Sequence, residues 1–288
     1  MTRVKNHNQL SQPDLRSGVF FCSGRYATAK TNTSTAAAAA GRYASGNLEF
    51  MNKELQGLYL SKWNKLLEEA NKLTAKAANP LLIKVDQAYI DSDIKVIIIG
   101  QETDGWFGQL NEGKMSVEKL MEAYSGYFNQ RADHGKRAFW NRKNYRYFED
   151  EITKYYHDKN VSFIWNNISK IGSDGRGKPG SSIENLERNH FNIFLREFEI
   201  LKPDIAIFTT GSTRDSYIKH HFGSNVKFYP KLSLNNGIFS SETLNLIAEI
   251  IIPQFPSVKA LRIEHPNRRT LNNSVTLQVL KDMVENKA

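Results

Sequence analysis

The 288-residue sequence predicts an α/β fold in which helices pack on a central, mostly parallel β-sheet. Short β-branched segments of strand length alternate with longer segments whose apolar residues have helical spacing. Hydrophobic residues make up 40% of the chain, which is enough for a sizeable core and excludes a wholly disordered protein.

The alternation runs along most of the chain. Strands are predicted at residues 95–99, 161–165, 204–208 and 260–263, with a further candidate at 226–229. Helices are predicted at residues 52–76, 117–127, 137–156, 185–201, 214–220 and 274–286. In such sheets ligands bind beyond the carboxyl ends of the strands, so the chemistry is expected there.

The first 50 residues differ from the rest in composition. They contain an alanine run and only two acidic residues, and they predict a disordered or artefactual N-terminal arm before a single α/β domain at 51–288. Three explanations stay open: a gene-start artefact with initiation at Met51, a disordered nucleic-acid arm, or a transit-like peptide. The first is favoured because Met51 directly precedes the first helix.

Charge and cysteine content narrow the possible partners. The net charge is +9, of which the six basic and two acidic residues of the arm contribute +4, and this charge favours polyanionic partners. The single cysteine, Cys22, excludes an internal disulfide, a cysteine-based zinc site and an iron–sulfur cluster, so a reducing, cytoplasmic location is expected. No apolar run is long enough to cross a membrane.

Polar residues follow three of the predicted strands. Glu102 lies just beyond the first strand, Asn166 just beyond the second and His265 just beyond the last. Because the carboxyl ends of parallel strands share one edge, these three side chains are expected to converge.

These segments resemble motifs of the uracil-DNA glycosylase superfamily. Residues 96–102 (VIIIGQE) are similar to its apolar strand followed by Gly-Gln-Asp-Pro-Tyr, and residues 163–166 (FIWN) resemble its strand ending in Asn. His265-Pro266-Asn267 is similar to its His-Pro-Ser motif, and the resemblance spans residues 94–284. It implies a three-layer sandwich with a sheet of about four strands, and a monomeric hydrolase without cofactor or metal that flips a deaminated or damaged base in single- or double-stranded DNA.

The resemblance also implies roles for individual residues. Glu102 would position water and stabilise the cationic sugar, and His265 would donate a hydrogen bond to the departing base. Asn166 would read one edge of the base, with its neighbour Asn167 as the alternative, and Gln101 would contact the base nearby.

The sequence departs from the family pattern at the aromatic that normally crowds thymine. Thr103 and Asp104 replace Pro-Tyr, so Trp106 and Phe107 are expected to line the base pocket, with Tyr127 as a further candidate. The alternative is that these aromatics belong to the core.

Basic residues predict two DNA-contacting segments. In the first they are interleaved with aromatics, and the alternative is an amphipathic helix with a solvated basic face. The second follows His265, where relatives carry an apolar wedge. The predicted DNA-binding residues are Lys136, Arg137, Arg142, Lys143, Asn267, Arg268, Arg269 and Leu271.

Other functions remain in competition. A superfamily member with lost or altered catalysis would act as a nucleic-acid or nucleotide-binding module, and an unrelated small-molecule hydrolase is the third reading. Residues 172–178 (GSDGRGK) match the spacing of a P-loop, but Pro179 replaces the Ser or Thr that would bind magnesium, which argues against nucleotide hydrolysis.

Overall fold

Six strands form one mixed β-sheet in the computed structural model of this chain. The structure describes residues 33–130, 140, 145–175, 177–230, 246–265 and 272–285, with side chains from residue 47 onward. The strands are β1 (Ile94–Gly100), β2 (Val161–Asn167), β3 (Ile205–Phe208), β4 (Lys227–Pro230), β5 (Ile247–Ile251) and β6 (Lys259–Ile263). The α-helices within these ranges are α1 (Thr33–Ala70), α2 (Gln87–Asp91), α3 (Val117–Tyr124), α4 (Tyr145–Tyr155), α5 (Ser181–His190), α6 (Phe194–Leu201), α7 (Asp215–Phe222) and α8 (Asn273–Glu285).

The sheet has a parallel part and an antiparallel part. Its order is β2-β1-β3-β6-β5-β4; the first four strands are parallel, and β5 and β4 add antiparallel neighbours at one side. The α/β prediction with a mostly parallel sheet is confirmed, but the expected count of about four strands was too low. The missed strand is β5, whose short Ile-rich sequence can belong to either a strand or a buried helix.

Helices cover both faces of the parallel strands. Phe163 of β2 contacts the ring of Tyr145 in α4, whereas Asn166, three residues on and therefore on the opposite face, contacts Glu197 of α6. Helices α4 and α8 contact each other, while α1 packs with α3, α5 and α6. This arrangement is consistent with a three-layer α/β fold.

Among the helices predicted wholly within the described residues, two differ from the structure by more than three residues at an end. Helix α1 begins at Thr33, inside the segment predicted as an arm, and ends at Ala70 rather than near residue 76. Its early start includes the alanine run, and alanine has the highest helix propensity. The helix predicted at 185–201 is two helices, α5 and α6, because the buried Phe191 and Ile193 between them pack into the core and override the helical periodicity.

Within the described ranges, no helix combines length and hydropathy to a degree that would let it cross a membrane.

Candidate functional site

The carboxyl ends of β2, β1, β3 and β6 lie side by side at one edge of the sheet. Gly100 of β1 pairs with Asn167 of β2, and Gln101 donates its Nε2 hydrogen to the carbonyl of Thr210 after β3 at 2.7 Å. Gly211 donates its backbone hydrogen to the carbonyl of Ile263 in β6 at 2.9 Å. The structure therefore places the backbone segments that carry Glu102, the Asn pair and His265 along one edge. Gln101 joins the β1 and β3 ends.

Glu102 is held by a buried arginine. Its Oε2 accepts a hydrogen bond from Nη2 of Arg214 at 2.6 Å, and the two side chains are only 12% and 5% exposed. Burial raises the pKa of Glu102, whereas the positive charges of Arg214 and Lys178 act in the opposite direction. The guanidinium thus favours the carboxylate form in surroundings that otherwise disfavour it.

Asn166 lies inside β2 rather than after it, and its side chain is 1% exposed. Its Nδ2 donates to Glu197 at 3.1 Å, and its Oδ1 accepts from Nζ of Lys170 at 2.6 Å and from the backbone of Asn167 at 2.8 Å. Lys170 and Glu197 form a fully buried ion pair of 2.8 Å. The amide predicted to read a base is therefore occupied at both ends by a network that joins β2 to α6.

Asn167 points to the opposite face of the strand. Its Oδ1 accepts a hydrogen bond from Nε1 of Trp165 at 3.2 Å, but its buried Nδ2 has no partner among the described residues. Four buried atoms in the segments that follow β1 and β3 share this property within the same ranges: Thr103 Oγ1, Trp106 Nε1, Thr210 Oγ1 and Arg214 Nη1. Buried polar groups without partners are rare in proteins, so each of these atoms is a candidate to bind a polar atom of a ligand or a water molecule.

Trp106 and Phe107 occupy different environments although they are adjacent. Trp106 is buried and packs edge-on against Tyr127 and Trp165, with ring centroids 5.3 and 5.6 Å apart, as a core aromatic would. Phe107 is 50% exposed and has a left-handed backbone with φ of 50°. Asn79 anchors this strained turn, because its Nδ2 donates to the Phe107 carbonyl at 3.0 Å.

His265 lies just beyond β6 and is half-buried. A Cβ added to Gly211 would lie 3.7 Å from the backbone nitrogen of His265, so the ends of β3 and β6 approach closely at this point. The predicted DNA-binding residues all lie outside the described residues: Lys136, Arg137, Arg142, Lys143, Asn267, Arg268, Arg269 and Leu271.

Sequence reasoning missed the residues that surround Glu102. Arg214 lies three residues after Gly211, at the start of α7, and its guanidinium also stacks on Tyr217 with Cζ 4.8 Å from the ring centroid. Sequence analysis recognised Gly211 as the end of the β3 segment. Arg214, one turn later, was the available sign in the sequence of a cation beyond β3. Only the tertiary structure pairs it with Glu102.

Cavities were found at the other edge of the sheet. Two of them, of about 230 and 390 Å³, both contact Val161 and Phe163 at the beginning of β2. Strand β2 separates that edge from the carboxyl edge by about 20 Å, so these cavities do not belong to the Glu102 site. No cluster of three or more His, Cys, Asp or Glu side chains suited to a metal ion occurs in the described part of the chain.

Comparison with known proteins gave no assignment. No protein-family model matches this chain, and a search of curated proteins also found no match.

Proposed function

We propose that the carboxyl edge of the sheet is the active site of a hydrolase that cleaves the N-glycosidic bond of a flipped, damaged or deaminated base in DNA. The observation that carries the proposal is Glu102: a nearly buried carboxyl group just beyond β1, whose pKa is raised by burial and whose carboxylate form is favoured by the bound Arg214. The motif resemblance at residues 96–102 and 265–267 supports the same reaction.

The chemistry requires negative charge beside the sugar and hydrogen-bond donors beside the base. As the bond from C1′ to the base nitrogen breaks, its electrons leave with the base, and positive charge develops on the sugar. The Glu102 carboxylate stabilises that charge and accepts a proton from the water whose oxygen bonds to C1′. His265, donating from a ring nitrogen, stabilises the anionic base, which then takes a proton from solvent.

The amide that reads the base is assigned here to Asn167 rather than Asn166. Its buried Nδ2 retains an unused donor, whereas the Asn166 amide is bound to Lys170 and Glu197. A buried, unpaired donor discriminates strongly between bases, because a base without a matching acceptor leaves the donor without a hydrogen bond.

A second candidate function is a binding module that has lost catalysis. The same Arg214 contact favours it, because a guanidinium at 2.6 Å neutralises part of the charge that the sugar cation would need. Thr103 and Asp104, where the family has Pro-Tyr, point in the same direction.

The test uses the full chain with single- and double-stranded oligonucleotides that contain uracil or hypoxanthine, followed by alkaline cleavage of abasic sites. We expect an abasic product that is lost in Glu102→Gln and His265→Ala. Glu112→Gln is the matched control, since Glu112 is an exposed acid paired with Lys114 and should leave the product unchanged. Binding without any abasic product would favour the module instead.

A further inference from the structure

Three cations surround one aromatic ring next to Glu102. The ring of Tyr217 in α7 has Arg214 Cζ at 4.8 Å, Arg188 Cζ at 5.1 Å and Lys178 Nζ at 5.5 Å from its centroid. Arg188 belongs to α5 and Lys178 to the loop before it, so separate segments bring positive charge to one place.

The carboxylates in this cluster do not balance its positive charge. Glu102 is bound to Arg214, and Glu184 accepts from Lys178 Nζ at 3.0 Å and from the Tyr217 hydroxyl. Arg188 has no carboxylate partner among the described residues, and its contact is with the Tyr217 ring. Three cations therefore face two carboxylates, and the cluster keeps one net positive charge.

A second observation points to an anion. Nη1 of Arg214 is buried and has no hydrogen-bond partner in the described parts of the chain, although the other nitrogen, Nη2, binds Glu102. A buried charged donor without an acceptor is destabilising, and an oxyanion held beside Tyr217 would offer oxygen acceptors to this cluster.

We propose that Arg188 and Lys178, with Arg214 behind them, bind a phosphate group beside Glu102. The planar guanidinium of Arg188 suits two phosphate oxygens, Lys178 supplies a mobile point charge, and the Tyr217 ring orients both cations. The site lies on α5, α7 and the loop before α5, in which sequence analysis predicted no DNA contacts. Its assignment to a nucleic-acid strand rests on the proposed function, whereas the phosphate chemistry does not.

The test measures binding of a labelled, short single-stranded oligonucleotide to the full chain over a series of salt concentrations. Arg188→Gln is expected to weaken binding about tenfold and to reduce the slope of log K against log salt by about 0.7, the value for one lost phosphate contact. Arg188→Lys should retain most of the slope. Arg196→Gln is the matched control, because Arg196 is an exposed arginine of α6 paired with Glu199 at 2.7 Å.

Competition with thymidine 5′-monophosphate separates the two possible sources of phosphate. Arg188-dependent displacement by the mononucleotide indicates a free nucleotide phosphate, and its absence indicates a strand phosphate. Equal slopes for the wild type, Arg188→Gln and Arg196→Gln would overturn the proposal. The abasic-site assay tests the proposed function independently. A reduced slope in Arg188→Gln without abasic product from the wild type would support the phosphate site and contradict the glycosylase activity. Abasic product together with an unchanged slope in Arg188→Gln would support the glycosylase activity and contradict the phosphate site.

Discussion

Oε2 of Glu102 lies 2.6 Å from Nη2 of Arg214, and this ion pair joins the end of β1 to the beginning of α7. Both side chains are nearly buried, so the interaction is poorly screened by solvent, and it opposes the rise in the Glu102 pKa that burial causes.

Arg214→Gln should shift the proposed activity to higher pH. Burial already raises the pKa of Glu102, and removing the positive charge leaves less to oppose that rise. The acidic limb of the rate–pH profile should shift upward by about one pH unit or more, with activity near neutral pH partly recovered in more alkaline buffer. Arg196→Gln should not shift the limb, and an unmoved limb in Arg214→Gln would show that Glu102 is not the titrating group.

Alanine variants of the two neighbouring asparagines should differ in their effects: Asn166→Ala should mainly lower stability, and Asn167→Ala should mainly lower activity. Asn166→Ala removes hydrogen bonds from the buried Lys170–Glu197 pair and should lower the unfolding free energy by about 2 to 3 kcal/mol. Asn167→Ala removes an acceptor for Trp165 and should cost about 1 kcal/mol. Urea unfolding measures both, while abasic-site formation should fall further in Asn167→Ala. Greater loss of activity in Asn166→Ala, at a temperature where it is folded, would return the base-reading role to Asn166.

Gly172 is needed where two loops meet. A Cβ at this position would lie 2.0 Å from the Thr103 carbonyl oxygen, so Gly172→Ala must displace the backbone beside Glu102. We expect a loss of about 1 to 3 kcal/mol in unfolding free energy and a lower activity. Gly57→Ala is the control: this exposed glycine of α1 has open space around it, and the change should stabilise the protein by about 0.5 to 1 kcal/mol. Equal melting temperatures for the two variants would contradict the close contact.

At Phe107 a glycine variant should be more stable than an alanine variant, which is the reverse of the usual order of stability. Because its φ is 50°, Phe107→Gly should be more stable than Phe107→Ala by about 1 kcal/mol. The same pair at Phe50, an exposed phenylalanine within α1, should show alanine as the more stable by a similar amount. Chemical denaturation of the four variants tests this, and the same order at both positions would show that the turn has no strain.

His221 should make the protein less stable in acid. Its ring is buried against Phe194, with Nε2 2.8 Å from the Ile168 carbonyl, and burial lowers its pKa to about 3. The unfolded chain binds a proton at a pKa of about 6.5. Between these two values the unfolded state carries more protons, so the unfolding free energy falls as pH falls.

The expected loss from this one group is about 2 kcal/mol between about pH 7.5 and 5.0. His221→Gln keeps an N–H donor but cannot ionise, so its unfolding free energy should fall less over the same interval. Urea unfolding at the two pH values measures the difference between the proteins. Parallel pH dependences would mean that the pKa of His221 is the same in the folded and unfolded states.

The sequence by itself was sufficient for the α/β class and, to within about two residues, for the carboxyl ends of the four parallel strands. Runs such as Val96 to Ile99 are apolar on both faces, which is typical of a parallel strand covered by helices, and their polar successors locate the carboxyl edge. These are local properties of neighbouring residues, so they can be recognised without knowledge of the packing.

Only the tertiary structure decided which side chains at that edge have hydrogen-bonding groups free to bind a ligand. One residue's difference in register sends Asn166 towards Lys170 and Glu197 and Asn167 towards the opposite face, because successive strand residues alternate in direction. Likewise Glu102 and Arg214 are 112 positions apart, and their contact depends on the parallel pairing of β1 with β3. Composition and periodicity describe neighbours along the chain, whereas the charge state of the acid and the free donors depend on contacts between distant segments.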